Sequence, residues 1–354
     1  MGAKEARALI NAAKFPPIYA LAGRSVLELQ DLNARMPGTF YGATESMEFG
    51  VPQLIYCENI LPYAKGVYSV GYGQQSPAHS VPTTLFDQAI VLRDAHENLS
   101  LFSPAGGNNF VYDHPTGTWT SKSPFTFTGD LITRAYVNGR SFVCYEGTKV
   151  CEYDATTGIL NTLALVLPIG YAMSQVRGIG GASNYLLLFT DLEVLWCSPL
   201  NVLDFADIDH GAGGQIPNDL KGKITAILPV DGGFIVYSAR NAVGATYTNQ
   251  ASSPFVFKEV ANSGGIPSYE QITADLNGSY HYAWSSAGLQ RLNRLKAEPF
   301  ATDITDFLTS QLTESWDPLA KKVLTASIGS PYNVKLSHVA NRYVVVSYGQ
   351  ERRK

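Results

Sequence analysis

Beyond Ser80 the chain settles into short apolar runs cut by turn residues: "TLFDQAIVLRD", "ENLSLFSPAGGNNFVYD", "DLITRAYVNGRSFVCYEGTKVCEYD", "QVRGIGGASNYLLLFTDLEVLWCS", "GKITAILPVDGGFIVYSARNAVGATY" and "GSYHYAWSSAGLQRL". Gly, Asn and Asp bound the runs, so the pattern predicts strand pairs with no long helices between them. Three of these pieces share one plan: a turn, an inner apolar strand, a tight turn, then a strand ending on an aromatic or polar residue. Their starts recur about every 45 residues, the period of a four-stranded propeller blade. A second repeat lies inside the first. Tyr-Asp-x-x-Thr-Gly is written at Tyr112–Gly117 and again at Tyr153–Gly158, the two Asp residues 41 positions apart. An apolar strand brings the Tyr to its end, Asp opens a turn and Gly accepts positive φ before the next strand. The motif therefore marks the turn within successive blades.

The first 72 residues read differently. Ala6, Leu9, Ile10 and Ala13 fall on one side of a predicted helix from Ala3 to Lys14, stopped by Pro16-Pro17. A second helical candidate, "SVLELQDLNARM", follows Gly23, and Tyr41 to Tyr72 reads as an extended arm or a first strand set. Near residues 302–317 the rhythm breaks: Asp303 is placed to cap a helix with Ile304, Phe307, Leu308 and Leu312 on one side. The sequence thus predicts a mainly β chain: residues 1–72 as an N-terminal helical and extended docking arm, and 73–354 as a β-propeller of about five to seven blades, possibly incomplete, with a helical insertion near 302–317.

Composition supports this. Aromatics make up 11% of the 354 residues, Gly 32 and Pro 19 supply turns, and only 16% are charged, which suits a strand-rich chain with much surface turned toward partners. A formal net charge of −4 offers no global basic field for nucleic acid; the Lys and Arg residues cluster only at Arg352-Arg353-Lys354. Four cysteines (Cys57, Cys144, Cys151, Cys197) contain no C-x-x-C pair, and free, mostly buried thiols in a reducing cytoplasm are the expectation. The N-terminus lacks the apolar core of a secretory signal, and the most apolar stretch, Ile159–Met173, is interrupted by Asn161 and Pro168 and is too short to span a bilayer.

Candidate chemistry is sparse. Asp204, Asp207, Asp209 and His210 crowd a Gly-rich loop, the best metal candidate in the chain. The spacing departs from a calcium loop and lacks its closing Glu, so a turn-forming loop between blades is the preferred reading. "RGIGGASNY" precedes an apolar strand where a nucleotide cradle would follow one and open a helix; it reads as a bend between blades where Gly relieves close approach. The six histidines (79, 96, 114, 210, 281, 338) form no metalloprotease motif and there is no nucleophile elbow. Carboxylate pairs (Asp94 with Glu97, Asp303 with Asp306) are explained more cheaply by helix or turn capping than by acid-base work on a sugar. Trp119, Trp196, Trp284 and Trp316 read as fillers between blades in preference to a sugar platform. No catalytic, cofactor-binding or metal-ligating residue is assigned.

The strings "YCENILPYAKGVYSVGYG", "LWCSPLNVLDFADIDHGAGG", "KGKITAILPVDGGFIVYSARNAVGATY", "SPFVFKEVANSGGI" and "TDITDFLTSQL", spread from Gly50 to Leu312, resemble the propeller-bearing tail nozzle and tail-hub proteins of short-tailed bacteriophages, including the packaged-DNA-stabilisation type. The resemblance implies a non-enzymatic virion protein of the tail, assembled in the host cytoplasm. Its copies would form a homo-oligomeric ring, a hexamer, beneath the portal and adaptor, contacting other tail proteins, holding back packaged DNA and passing it without sequence preference during ejection. No cofactor and no membrane-spanning segment come with it. A mildly acidic ring fits such a conduit, because each phosphate neutralised by Lys or Arg would add affinity through counterion release and slow the DNA. A carbohydrate-binding or glycan-cleaving propeller for host attachment is the alternative from a different class.

Overall fold

The computed structural model describes residues 18–20, 26–29, 60–64, 67–70, 90–93, 99–105, 108–113, 118–124, 132–300 save 249, 251, 252, 276 and 277, and then 334–339 and 343–348. Two compact units are distinguished: Met1–Ala78 with Ala301–Pro318, and His79–Phe300 with Leu319–Lys354. The helices expected at Ala3–Lys14 and near 302–317 lie outside the described residues.

In the first unit, β1 (Ile18–Ala20), β2 (Val26–Leu29), β3 (Ile60–Ala64) and β4 (Val67–Val70) form one antiparallel sheet in the order β1-β2-β4-β3. This corrects the helical reading that began at Ser25. Val26–Leu29 pairs with β1 on one side and β4 on the other, and pairing on both edges outweighs the modest helix propensity of so short a run.

The second unit is built of antiparallel sheets, each made by consecutive strands. They are β5–β8 (Ile90–Arg93, Leu99–Ala105, Asn108–Asp113, Thr118–Pro124), β9–β12 (Ile132–Val137, Arg140–Tyr145, Lys149–Asp154, Ile159–Thr162), β13–β16 (Gly178–Ala182, Tyr185–Phe189, Val194–Trp196, Gly213–Gln215), β17–β20 (Ile224–Val230, Gly233–Ser238, Ala242–Tyr247, Phe255–Glu259) and β21–β24 (Ile272–Ala274, His281–Ser285, Gly288–Leu292, Ala297–Pro299), followed by the hairpin β25–β26 (Val334–Val339, Tyr343–Tyr348). First strands of neighbouring sheets lie side by side, β5 by β9, β9 by β13, β13 by β17 and β21 by β25. Four-stranded meanders arranged about their first strands are the blades of a β-propeller, as the 45-residue rhythm predicted.

The doubled Tyr-Asp-x-x-Thr-Gly sits where expected, joining third to fourth strand in the first and second of these sheets. Asp113 pairs with Thr118 and Asp154 with Ile159 across the two turns. In the second copy Asp154 accepts from the Thr156 backbone N–H at 2.9 Å and the Thr157 hydroxyl at 2.8 Å, and Gly158 takes φ of 68°. These bonds hold the Asp154 carboxyl below the usual carboxylate range, the Thr157 hydroxyl contributing most.

Second strands explain the continuous apolar runs. Tyr185–Phe189 is buried at every position, and Arg140–Tyr145 and Gly233–Ser238 at all but the first. Neighbouring sheets cover both faces of these strands, so the period-2 alternation of a half-exposed strand disappears. The apolar clusters follow the same plan: one spans the first and second sheets, one the second to fourth, and one the fourth and fifth. The core is thus a series of wedges between sheets.

Sheets are also stitched by hydrogen bonds at one recurring place. The run-out of each second strand bonds the run-in to the next first strand: Gly147 N–H to the Val176 carbonyl at 2.7 Å, Ile224 N–H to the Asp191 carbonyl at 2.8 Å, and Ile266 N–H to the Ser238 carbonyl at 2.8 Å. First strands add Arg134 Nη1 donating to the Val91 carbonyl at 2.6 Å and the buried Ile179 N–H donating to Thr133 Oγ1 at 2.8 Å. Thr133 is fully buried, so Thr133→Val is expected to strand the Ile179 N–H and cost about 1–3 kcal/mol in a denaturant titration, with an unchanged m-value.

Candidate functional site

The loop the sequence singled out for metal chemistry, Asp204–His210, folds as a set of caps. Its place is a correction: it joins β15 to β16 within the third sheet and does not run between blades, because the turn-forming residues close that sheet's last hairpin. Asp204 Oδ1 accepts the backbone N–H groups of Ala206 at 2.9 Å and Asp207 at 3.1 Å. Asp207 caps the short 3₁₀ turn Ile208–His210, and its carboxylate lies 2.8 Å from His210 Nδ1. Gly211 follows with φ of 87°. Its carbonyl accepts Trp196 Nε1 at 3.1 Å, while Ser198 Oγ donates to the His210 carbonyl at the same distance. Among the described residues no group of three or more His, Cys, Asp or Glu is gathered for a metal.

This loop is zipped to the one that enters the third sheet. Val166 N–H donates to the Leu203 carbonyl at 2.9 Å, Phe205 N–H to the Val166 carbonyl at 2.8 Å, and Val166 forms a parallel bridge with Asp204. The pairing leaves four large apolar side chains in solvent: Val166 (51% exposed), Ile169 (103%), Leu200 (77%) and Ile208 (76%). A rigid loop pair that holds aliphatic side chains out in water has the chemistry of a contact surface. The sequence did not single it out, because Ile208 lies in a loop read for its Asp and Gly residues and Ile169 in an apolar stretch.

"RGIGGASNY" is also corrected. Gly178–Ala182 is the innermost strand β13, buried throughout, and not a bend between blades. The steric argument nevertheless holds there. A Cβ on Gly180 would lie 2.8 Å from Ile227 Cγ2 in the next sheet, and one on Gly181 would lie 2.8 Å from the Tyr136 carbonyl oxygen in the preceding one. Two neighbouring first strands press on this one, and only glycine lets them approach.

Three ion pairs run across the same rim. Arg177 bridges Glu146 of the second sheet at 3.3 Å and Asp191 of the third at 2.9 Å, and Lys223 at the start of the fourth reaches Asp191 at 2.7 Å. Lys223, followed by Arg177, lowers the Asp191 pKa despite partial desolvation. These groups are partly exposed, so each pair contributes little stability; their effect is to fix register.

Among the described residues, three cysteines and one histidine are buried. Cys144, Cys151 and Cys197 are free thiols in the interior, and burial raises all three, Cys197 to about 11; a thiol so placed is no thiolate at neutral pH. His281 is fully buried with both ring nitrogens engaged, Nδ1 at 2.6 Å from the Tyr237 hydroxyl and Nε2 at 2.7 Å from the Pro229 carbonyl. Nε2 must donate to the carbonyl, and because burial keeps the ring neutral Nδ1 accepts from Tyr237. Trp196 fills the space between sheets, edge-on to Phe255 at 5.6 Å between ring centres. Trp119 lies against Tyr112 of its own sheet at 5.3 Å. Asp94, Glu97, Asp303, Asp306, Cys57 and Trp316, with His79, His96 and His114, lie outside the described residues. No described helix is long and apolar enough to cross a membrane.

No family model matches the sequence, and no curated protein matches it. Among solved structures the chain is similar to a virginiamycin B lyase from Staphylococcus aureus, at 11% identity over 61% of this chain and 72% of that one, with a TM-score of 0.41. It is similar too to a functionally unknown protein from Desulfotomaculum acetoxidans, at 12% identity over 68% and 76%, TM-score 0.43. A third is the β-propeller domain of Myceliophteria thermophila Cps50 (Swd1), at 12% identity over 60% and 86%, TM-score 0.37.

Proposed function

We propose that this chain is a structural virion protein of a short-tailed phage: a ring-forming tail nozzle or hub that attaches to the portal and adaptor, retains packaged DNA and conducts it during ejection. The observation that carries this reading is the stitching of consecutive sheets at one repeated position, Gly147 to Val176, Asp191 to Ile224 and Ser238 to Ile266. A body locked sheet to sheet transmits load with little internal give, which a component under the pressure of packed DNA requires. The resemblance of the quoted strings to those of tail proteins adds support. Two of them fall on the zipped loop pair and on the fourth sheet, so the likeness includes an exposed contact surface as well as buried strands. The chain's charge of −4 suits passage of DNA better than capture.

Electron cryo-microscopy of purified particles tests it. The chain is expected as several copies around the axis beneath the portal; a protein absent from particles, or present only as single copies away from the axis, removes the reading. A glycan array with a hydrolysis assay tests the carbohydrate alternative, and a specific sugar bound or cut would put that alternative first.

A further inference from the structure

The zipped loops of the third sheet have a counterpart on the fourth and fifth. Val256 on β20 is 56% exposed and Leu295, in the turn between β23 and β24, is 65% exposed. They share one face. Val256 pairs with Thr246, whose hydroxyl accepts Arg294 Nη1 at 2.8 Å. Lys258 pairs with Gly244, and a Cβ on Gly244 would lie 2.2 Å from the Arg294 carbonyl oxygen. Two aliphatic side chains are therefore ringed by Lys258, Arg294 and Lys296, the last paired with Glu298 at 2.5 Å. The loop pair of the third sheet shows the opposite sign. Val166 bridges Asp204, and Ile208 lies between Asp207 and Asp209, with Asp207 bonded to His210.

We infer that copies of this chain join head to tail, the acidic apolar loop pair of one copy seated on the basic apolar face of the fourth and fifth sheets of the next. The occupant is a second copy because this chain carries both halves of the match: apolar centre against apolar centre, Asp207 and Asp209 against Lys258, Arg294 and Lys296. A contact of either patch with itself would oppose like charges in a desolvated interface. A heterologous contact of this kind closes into a ring when its rotation allows. The inference deepens the ring reading above and rests on it for its purpose.

Two variants at exposed positions test it by sedimentation velocity at micromolar concentrations, with circular dichroism and a thermal melt to verify folding. Wild type is expected to form species larger than a dimer. Ile208→Ser with Asp209→Ser destroys the acidic patch, and Leu295→Ser with Lys296→Ser destroys the basic one. Each variant alone is expected to be monomeric, its affinity down by about tenfold or more. Mixed one to one, they should give a dimer and nothing larger, since one intact patch of each sign remains. If either pair fails to fold, Leu200→Ser and Val256→Ser take their places. A wild type that stays monomeric or stops at a dimer overturns the proposal. So does a variant that assembles as wild type, or a mixture that yields no dimer. Particle composition separates this from the tail reading. A chain that assembles through these patches but is absent from virions sinks only the tail role; a virion ring that survives both variants sinks only this interface.

Discussion

Gly181→Val is expected to destabilise the second unit by roughly 3 kcal/mol or more, the upper end of what overpacking does and a large part of a typical domain's stability. The reason is where the new atoms would go. The first atom of any side chain at this position would sit 2.8 Å from the Tyr136 carbonyl oxygen and 2.9 Å from Val137 Cγ2. The first of these is backbone of a paired strand and cannot rotate away. Relief requires β13 to move off β9, and that stretches the Ile179 to Thr133 hydrogen bond at the same joint. The same movement meets the fourth sheet, where Gly180 already faces Ile227. Gly222→Ala is the control. A Cβ there has its nearest neighbour, Ser238 Oγ, at 3.6 Å, and the backbone has no positive φ, so stability should stay within about 0.5 kcal/mol of wild type. Urea titrations of the two variants against wild type check the pair; a Gly181→Val midpoint equal to that of Gly222→Ala would mean that the first strands are not pressed together.

The same strand shows what the sequence could and could not disclose. Turns were legible because their chemistry is local: Tyr-Asp-x-x-Thr-Gly joins third to fourth strand in two sheets, and in the second of them the bonds are made inside six residues. Second strands were legible because burial on both faces leaves an unbroken apolar string such as Tyr185–Phe189. Gly178–Ala182 was not, since glycine is a poor strand former and the cause of its presence lies in residues about 45 positions away on either side. The Asp204–His210 loop misled for a related reason. Its capping geometry was readable, but its place inside a sheet depends on Gly213–Gln215 returning to pair with Val194–Trp196. The exposed patches on the third, fourth and fifth sheets were invisible at the sequence level, because exposure of Ile208 or Leu295 is decided by the packing of loops, not by neighbours in the chain.

The second large effect expected is acid lability centred on His281. Burial pushes this imidazole down from 6.5 to about 4, the bond from Nε2 to the Pro229 carbonyl and the nearby Asp275 carboxylate offsetting part of that shift. Tyr237, the other titratable group facing it, is raised well above its ordinary value by burial and stays protonated throughout. An unfolded chain protonates this histidine at its ordinary pKa, so between about pH 6.5 and pH 4 the unfolded state binds the extra proton and the folded state does not. Stability from the site is complete above pH 6.5 and falls as pH drops toward 4, a loss of about 3 kcal/mol at 1.36 kcal/mol for each of roughly 2.5 pKa units. Paired carboxylates such as Glu298 and Asp191, whose pKa values are lowered, begin to lose their contribution only as pH falls through their ordinary values of 4.5 and 3.8, at the acid edge of that window and below it. His281→Phe should therefore flatten the stability profile between pH 6.5 and 4 even though it lowers stability at pH 7 by stranding the Pro229 carbonyl and the Tyr237 hydroxyl. Tyr237→Phe should cost about 1–3 kcal/mol at pH 7 and narrow the window from its acid end, because a ring whose Nδ1 has lost its donor protonates more readily. Denaturant titrations from pH 7.5 to 4 measure all three profiles. Since His281 in β22 is bonded to β17 and β18, protonation acts on the joint between the fourth and fifth sheets, and hydrogen exchange should locate the loss there first; a His281→Phe profile as steep as wild type would remove the histidine from the account.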